Sequence, residues 1–259
     1  MSLSARRLAK RIVQRVATSS LLAPLGKPLL HGTQYALGLH HREVVNFGQP
    51  ERARAAERIR EIVTGWGTQT MGVDEAYVIR AAVLATAKVE GDLAEVGVFR
   101  GGTARVIGEA KGSRRLHLFD TFEGLPAPGA IDTAFQQGQY AGSLEAVRAF
   151  LAGCVGVEFY KGLFPATGEA VKERRFSFVH LDVDLYESTR ASLEFFYPRL
   201  SPGGVIVSHD YVEFAGVRRA FDEFFAGKPE PVLELSGNQC MVVKVDLRGA
   251  AQSSSNLPR

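Results

Sequence analysis

Apolar residues along this chain gather in short runs that alternate with amphipathic stretches. The runs DLAEVGV (92–98), RLHLFD (115–120), VEFYKG (157–162), FSFVHLDVD (176–184) and GGVIVSHD (203–210) predict strands. They are short, rich in β-branched and aromatic residues, and bounded by turn formers. Between and after them, Thr103–Lys111, Leu144–Leu151, Glu187–Tyr197 and Ala215–Phe225 carry helical periodicity. Strands that alternate with helices imply a parallel sheet covered on both faces. Ahead of this region the pattern turns helical from about Glu51, and Ala76–Val89 predicts a strongly apolar helix. At the other end, PVLELS and QCMVVKV are separated only by Gly237 and Asn238, which predicts a hairpin. One of its strands must therefore run antiparallel to the other.

Composition divides the chain further. Residues 1–42 carry seven Lys or Arg and no acid, which leaves the remainder mildly acidic although the whole has a net charge of +3. Within this head, SARRLAKRIVQRVA places Leu8, Ile12 and Val16 on one side of a helix and its cations elsewhere. Such a helix packs on its own domain or meets an anionic membrane surface, a carrier protein or a partner subunit. It also fits the description of an organellar transit peptide. Residues 18–50 mix Pro, Gly and His as a connecting or lid segment, and AAQSSSNLPR is a flexible tail. The expected organisation is a head (1–50), one α/β domain (51–248) and a tail (249–259). No run approaches the roughly 18 apolar residues of a membrane span, so a cytoplasmic protein without a transmembrane segment is expected. Cys154 and Cys240 make neither a zinc spacing nor a disulfide framework and are expected to pack in the core. The acidic body, without an aromatic-interleaved basic patch, argues against nucleic acid as a partner.

Ligands of open α/β sheets bind beyond the carboxyl ends of the strands. The first strand ends in EVGVFRGGT (95–103), where Gly97, Gly101 and Gly102 permit a tight turn and the helix opening at Thr103 offers free N–H groups. The dinucleotide fingerprint G-x-G-x-x-G is absent; the spacing is E-x-G-x-x-x-G-G. Asp120 ends the second strand, in LFDTFEGLP, where a carboxylate can accept both ribose hydroxyl protons or else cap its own turn. After the third strand, Gly162, Leu163 and Phe164 offer an apolar wall for an adenine ring.

The fourth and fifth strands end in acids. Asp182 stands at the edge of FSFVHL, and His209 and Asp210 close GVIVSHD, so the three converge. Two carboxylates and an imidazole held together shift one another's pKa values unless a cation neutralises them. A divalent ion is one resolution, and an internally hydrogen-bonded polar cluster is the other. Glu187 reads as a first-turn helix acid; Asp184 either orients Asp182 or caps that helix.

TM (70–71), EVGVFRGGT, FDTFEGLP, HLDVDLYEST, FYPRLSPGG and HDY, in that order over about residues 60–246, resemble the macrocin O-methyltransferase (TylF) family of class I S-adenosylmethionine (SAM)-dependent enzymes. A mostly parallel, Rossmann-like sheet with a C-terminal antiparallel hairpin and helices on both faces is their arrangement. The resemblance implies O-methylation of a sugar or other natural-product hydroxyl. It assigns Met71, Glu95, Gly97, Gly101, Gly102, Thr103, Asp120, Thr121, Gly162 and Phe164 to SAM, with Val73 near the sulfonium. It further implies Mg²⁺ or Mn²⁺ on Asp182, His209 and Asp210. The chain departs from the family at His209, where an Asp is usual. Imidazole suits Mn²⁺, Fe²⁺ or Zn²⁺ better than Mg²⁺, and His209 can instead leave the metal shell as the general base.

The expected reaction is in-line attack of a substrate oxygen on the SAM methyl group, with Asp182 or His209 taking the proton. Acceptor choice falls to the region before Glu51 and to the long loop 126–143, a predicted lid, where Phe135, Gln136, Gln137 and Tyr140 offer stacking and hydrogen-bonding groups. Two other classes stay open: metal-independent transfer with His209 as base, and a SAM-binding scaffold without catalysis. A nicotinamide-dependent oxidoreductase would need the glycine pattern that is missing. Homo-oligomerisation is open as well.

Overall fold

Strand β4, Phe176–Leu181, is buried at all six positions, as expected of a strand with helices on both sides of it. It is the middle of seven in the order β3-β2-β1-β4-β5-β7-β6. The structure, a computed structural model, describes residues 49–65 and 71–246. All of them belong to the unit Gly48–Arg259, one of two into which the chain divides. The basic head, the connecting segment to residue 48 and the tail from residue 249 lie outside the described residues.

Helices α1 (Pro50–Gly65) and α2 (Val73–Ala85) precede the sheet. Then β1 (Asp92–Val96), α3 (Gly102–Ala110), β2 (Leu116–Asp120), α4 (Leu144–Phe150), β3 (Val157–Lys161), β4, α5 (Tyr186–Phe196), β5 (Leu200–Ser208) and α6 (Ala215–Phe225) alternate. The chain closes with β6 (Leu233–Glu234) and β7 (Cys240–Val243). The first five strands pair in parallel. β7 is the antiparallel member, pairing with β5 on one side and β6 on the other.

Two apolar clusters flank the sheet. On one side Phe176, Leu193, Phe196, Phe221 and Val242 pack with Phe119 and Phe164; on the other Ile79, Val83, Leu93, Ile107 and Phe178 meet. Full burial of each such side chain contributes about 1.5–3 kcal/mol. Cys240 is fully buried in the first cluster, whereas Cys154 is half-buried at the edge of the second.

Strand order reverses between β1 and β4, since the chain proceeds outward from β1 to β2 and β3 and then returns to β4. That crevice is where open α/β sheets take ligands. No helix among the described residues is long and apolar enough to cross a membrane.

Candidate active site

Backbone bonding continues past the strand tips and aligns the residues there. Gly97 N–H donates to Phe119 O, Gly162 N–H to Asp120 O, Asp182 N–H to Val96 O and His209 N–H to Leu181 O, each at 2.9 Å. Gly97 has φ +86°, and a Cβ on it would lie 1.8 Å from the Asp182 carbonyl oxygen. Only glycine lets β1 turn this close to β4.

Above these tips lies a cavity of about 430 Å³, within the range of small-molecule sites. Of the ten residues expected to contact SAM, eight line it: Met71, Gly97, Gly102, Thr103, Asp120, Thr121, Gly162 and Phe164. Gly101 instead sits at φ +80° as the residue before α3. Glu95 is 1% exposed and lies within the sheet opposite His180 rather than on the cavity wall.

Asp120 holds the first turn. Its Oδ2 accepts N–H donors from Val98 (2.7 Å) and Phe99 (2.8 Å), and its Oδ1 accepts from Phe122 (2.6 Å). A carboxylate has about four acceptor positions, so one is left toward the cavity. Thr121 Oγ1 donates to Gly124 O and accepts from Glu123 N–H, which closes its own turn. Phe164 stacks on Phe196 at 5.3 Å between ring centres, and Thr103 Oγ1 lies 3.7 Å from the sulfur of Met71.

At the other end of the cavity stand Asp182, Asp184, Asp210, Glu213 and Glu75. Burial, then the neighbouring acids, pushes Asp182 well above the usual carboxylate range. Burial raises Asp184 to about 6 and, together with Asp184 itself, Asp210 to about 8. Asp184 and Asp210 hydrogen-bond to each other, and both occupy left-handed backbone positions, φ +59° and +67°. Asp184 therefore neighbours Asp210, and it is not the residue before the helix; Leu185 is.

His209 is 6% exposed and belongs to a buried chain. Gln239 Nε2 lies 3.1 Å from His209 Nε2, His209 Nδ1 lies 2.9 Å from His180 Nε2, and His180 Nδ1 lies 3.0 Å from Glu95 Oε1. Gln239 Nε2 also donates to the Glu75 carbonyl at 3.4 Å, an orientation assigned from these two contacts that leaves its Oε1 buried without a partner. Nε2 must then donate to His209, so His209 carries its proton on Nδ1 and gives it to His180, which in turn donates to Glu95. Burial lowers both histidines to about 3, which keeps them neutral, as this direction requires. Ligand atoms of His180, Asp182 and His209 all lie within 4.8 Å, yet the two nitrogens that face each other form a hydrogen bond. In this tautomer both ring nitrogens of His209 bond within the buried chain, with Nδ1 3.7 Å from Asp182 Oδ2.

The long loop touches the site through one of its four expected residues. Tyr140 lines the cavity, its ring edge-on to Phe99 at 5.8 Å. Phe135 is buried against Phe214 at 4.6 Å, whereas Gln136 and Gln137 do not line the cavity. Asp132, 3% exposed, accepts Tyr186 N–H at 3.2 Å and thereby docks the loop on the start of α5.

Residues 27–233 match the macrocin O-methyltransferase (TylF) family. This chain belongs to that family. A Streptomyces olivaceus enzyme, the 8-demethyl-8-(2,3-dimethoxy-alpha-L-rhamnosyl)-tetracenomycin-C 4'-O-methyltransferase, is 38% identical over 58% of this chain and 64% of its own length. The demethyldecarbamoylnovobiocin O-methyltransferase of Streptomyces niveus is 30% identical over 80% of this chain and 86% of its own. Among solved structures the O-methyltransferase NovP superposes with a TM-score of 0.61 at 27% identity, covering 68% of this chain and 81% of that one. The TylF sheet, the strand-tip cavity and the chemistry class of a SAM-dependent O-methyltransferase thus coincide in one chain.

No motif in the chain singles out His180 or Gln239, and Asn238 stands out there only as a turn residue. Glu95 and His180 are cross-strand neighbours, and only the register reveals the pair.

Proposed function

We propose that this TylF-family enzyme methylates a hydroxyl of a sugar carried on a natural product, assisted by a divalent cation held by Asp182 and Asp210. The Streptomyces olivaceus relative acts, by its name, on a rhamnosyl-bearing tetracenomycin. The observation that carries the cation is the crowding of Asp182, Asp184 and Asp210, whose carboxyls are all raised by burial, with the neighbouring acids adding to the rise at Asp182 and Asp210. Hard carboxylate oxygens suit Mg²⁺ or Mn²⁺. Bound there, such an ion would polarise the acceptor oxygen.

SAM supplies the methyl group, activated by its own sulfonium charge. The chain's residues bind and align it. Gly97 and Gly102 let the backbone approach, the Asp120 carboxylate meets the ribose, and Phe164 borders the adenine. At the acidic end, Asp182 takes the hydroxyl proton as the O–CH₃ bond forms and the S–CH₃ bond breaks. A carboxylate with a raised pKa is the better base at neutral pH. His209 lies beside the acid end, its Nδ1 3.7 Å from Asp182 Oδ2.

Calorimetric titration with S-adenosylhomocysteine, in EDTA and then with Mn²⁺, tests the reading. Micromolar binding, about −8 kcal/mol, and a Mn²⁺ heat abolished by Asp182→Asn are expected. Nucleoside binding without any metal heat would leave methyl transfer to the carboxylates alone, and Asp182→Asn should then still abolish turnover of a vicinal-diol glycoside. A fully active variant would sink both versions.

A further inference from the structure

The turn before β7 enters the acidic end of the cavity. Ser208 of β5 faces Cys240 of β7 in antiparallel register, so His209 meets Gln239 and Asp210 meets Asn238 just past the strand ends. Asn238 uses every polar atom it has. Its N–H donates to Glu75 Oε1 at 3.0 Å, and its carbonyl accepts Tyr211 N–H at 3.1 Å. Its side-chain Nδ2 donates to Asp210 Oδ1 at 2.8 Å and to Glu213 Oε2 at 3.3 Å, while Oδ1 accepts Glu213 N–H at 2.8 Å. Those partners fix the amide orientation, since the reverse would set its oxygen against two carboxylate oxygens and its NH₂ against an N–H. The residue it grips, Asp210, holds a φ of +67°. A side-chain-bearing residue keeps that conformation when its surroundings over-determine it.

We propose that Asn238 is a positioning residue for the cation site, fixing the rotation and the strained backbone of Asp210 through the Nδ2–Oδ1 bond. The inference rests on the reading of Asp182 and Asp210 as cation ligands. Outer partners of metal-binding carboxylates are worth about 10–100-fold in affinity. Asn238 also holds the turn through its main chain and Oδ1, so a lowered melting temperature alone would not separate positioning from structure.

The test is Mn²⁺ binding to the full chain, followed by electron paramagnetic resonance, for wild type, Asn238→Ala and Glu234→Gln. S-adenosylhomocysteine affinity is measured in parallel. Asn238→Ala should weaken Mn²⁺ at least tenfold with nucleoside affinity within twofold. Glu234→Gln, which removes only the exposed pair with Arg218 on the same hairpin, should stay within threefold for both. Should Asn238→Ala not fold, Asn238→Ser keeps a turn-compatible residue too short to reach Asp210, and the same loss is expected. Equal Mn²⁺ affinity in wild type and the folded variant overturns the positioning role and leaves the cation site standing. A wild type that binds nucleoside and no Mn²⁺ overturns the cation reading and this inference with it.

Discussion

Gln239 donates to His209 and sets the direction of a buried hydrogen-bond chain that ends on Glu95. Each histidine in it donates once and accepts once, an arrangement open only to neutral rings. Nitrogen-15 spectra of the imidazoles should show both His180 and His209 in the Nδ1–H form, unchanged between pH 8 and pH 5, because burial holds both near 3. A His209 resonance that titrates near the ordinary histidine value, about 6.5, would restore it as a candidate base or ligand.

The acids and the histidines push stability in opposite directions with pH. The two lowered histidines contribute stability above their unfolded value, about 6.5, and lose it as pH falls toward 3. Asp184 and Asp210, raised to about 6 and 8, hold protons in the folded state that the unfolded chain has released. Their contribution is full at low pH and is lost as pH rises through those values. Between pH 6.5 and 8.5 only the acids act, so the melting temperature of the metal-free protein should fall across that window. Mg²⁺ should restore it more at pH 8.5 than at pH 6. A melting temperature that rises with pH there, or a pH-independent effect of Mg²⁺, contradicts the assignment.

Asp120 anchors three backbone N–H groups and borders the cavity. Asp120→Asn puts an NH₂ group against backbone donors and removes the charge proposed to meet the ribose. S-adenosylhomocysteine should bind about 10–100-fold more weakly, consistent with about 1.5–3 kcal/mol for a charge-assisted bond. Some thermal stability should go with it, because buried N–H groups are left unpaired. Full affinity in a destabilised variant would reduce Asp120 to a turn anchor.

Most of this architecture is legible in the chain because helix and strand periods differ so clearly. The α6 limits, Ala215–Phe225, coincide with the pattern. Boundaries drift where local chemistry misleads. The pattern starts the fifth strand at Gly203, yet β5 starts at Leu200 because the ladder with Phe176 continues through a register shift. DVD reads as strand, yet β4 stops at Leu181 and Asp184 turns to a positive φ. Polar contacts between strands were the illegible part. Glu95 looks like a cofactor acid until the β1–β4 register sets it against His180. Asn238 looks like a turn former until the β5–β7 register sets it against Asp210. Composition cannot reveal which of Phe135, Gln136, Gln137 and Tyr140 faces inward, because the loop has no period and is placed by Asp132 and the Phe135–Phe214 contact.

Tyr140 is the one of the four expected loop residues that lines the cavity, and we propose that it reads the acceptor. Its ring is held edge-on by Phe99, and its hydroxyl is raised above the usual tyrosine value by burial and then by Asp184, Asp210 and Asp182. The hydroxyl therefore stays protonated and donates beside the acids at neutral pH. Tyr140→Phe keeps the ring contact and removes only that donor. A neutral hydrogen bond contributes about 0.5–1.5 kcal/mol net, so KM for a glycoside acceptor should rise about 2–12-fold. S-adenosylhomocysteine affinity and kcat should stay within twofold, since neither the nucleoside residues nor Asp182 has changed. An unchanged KM would place the acceptor elsewhere along the cavity; a tenfold loss in kcat with KM intact would make Tyr140 part of the methyl-transfer step instead.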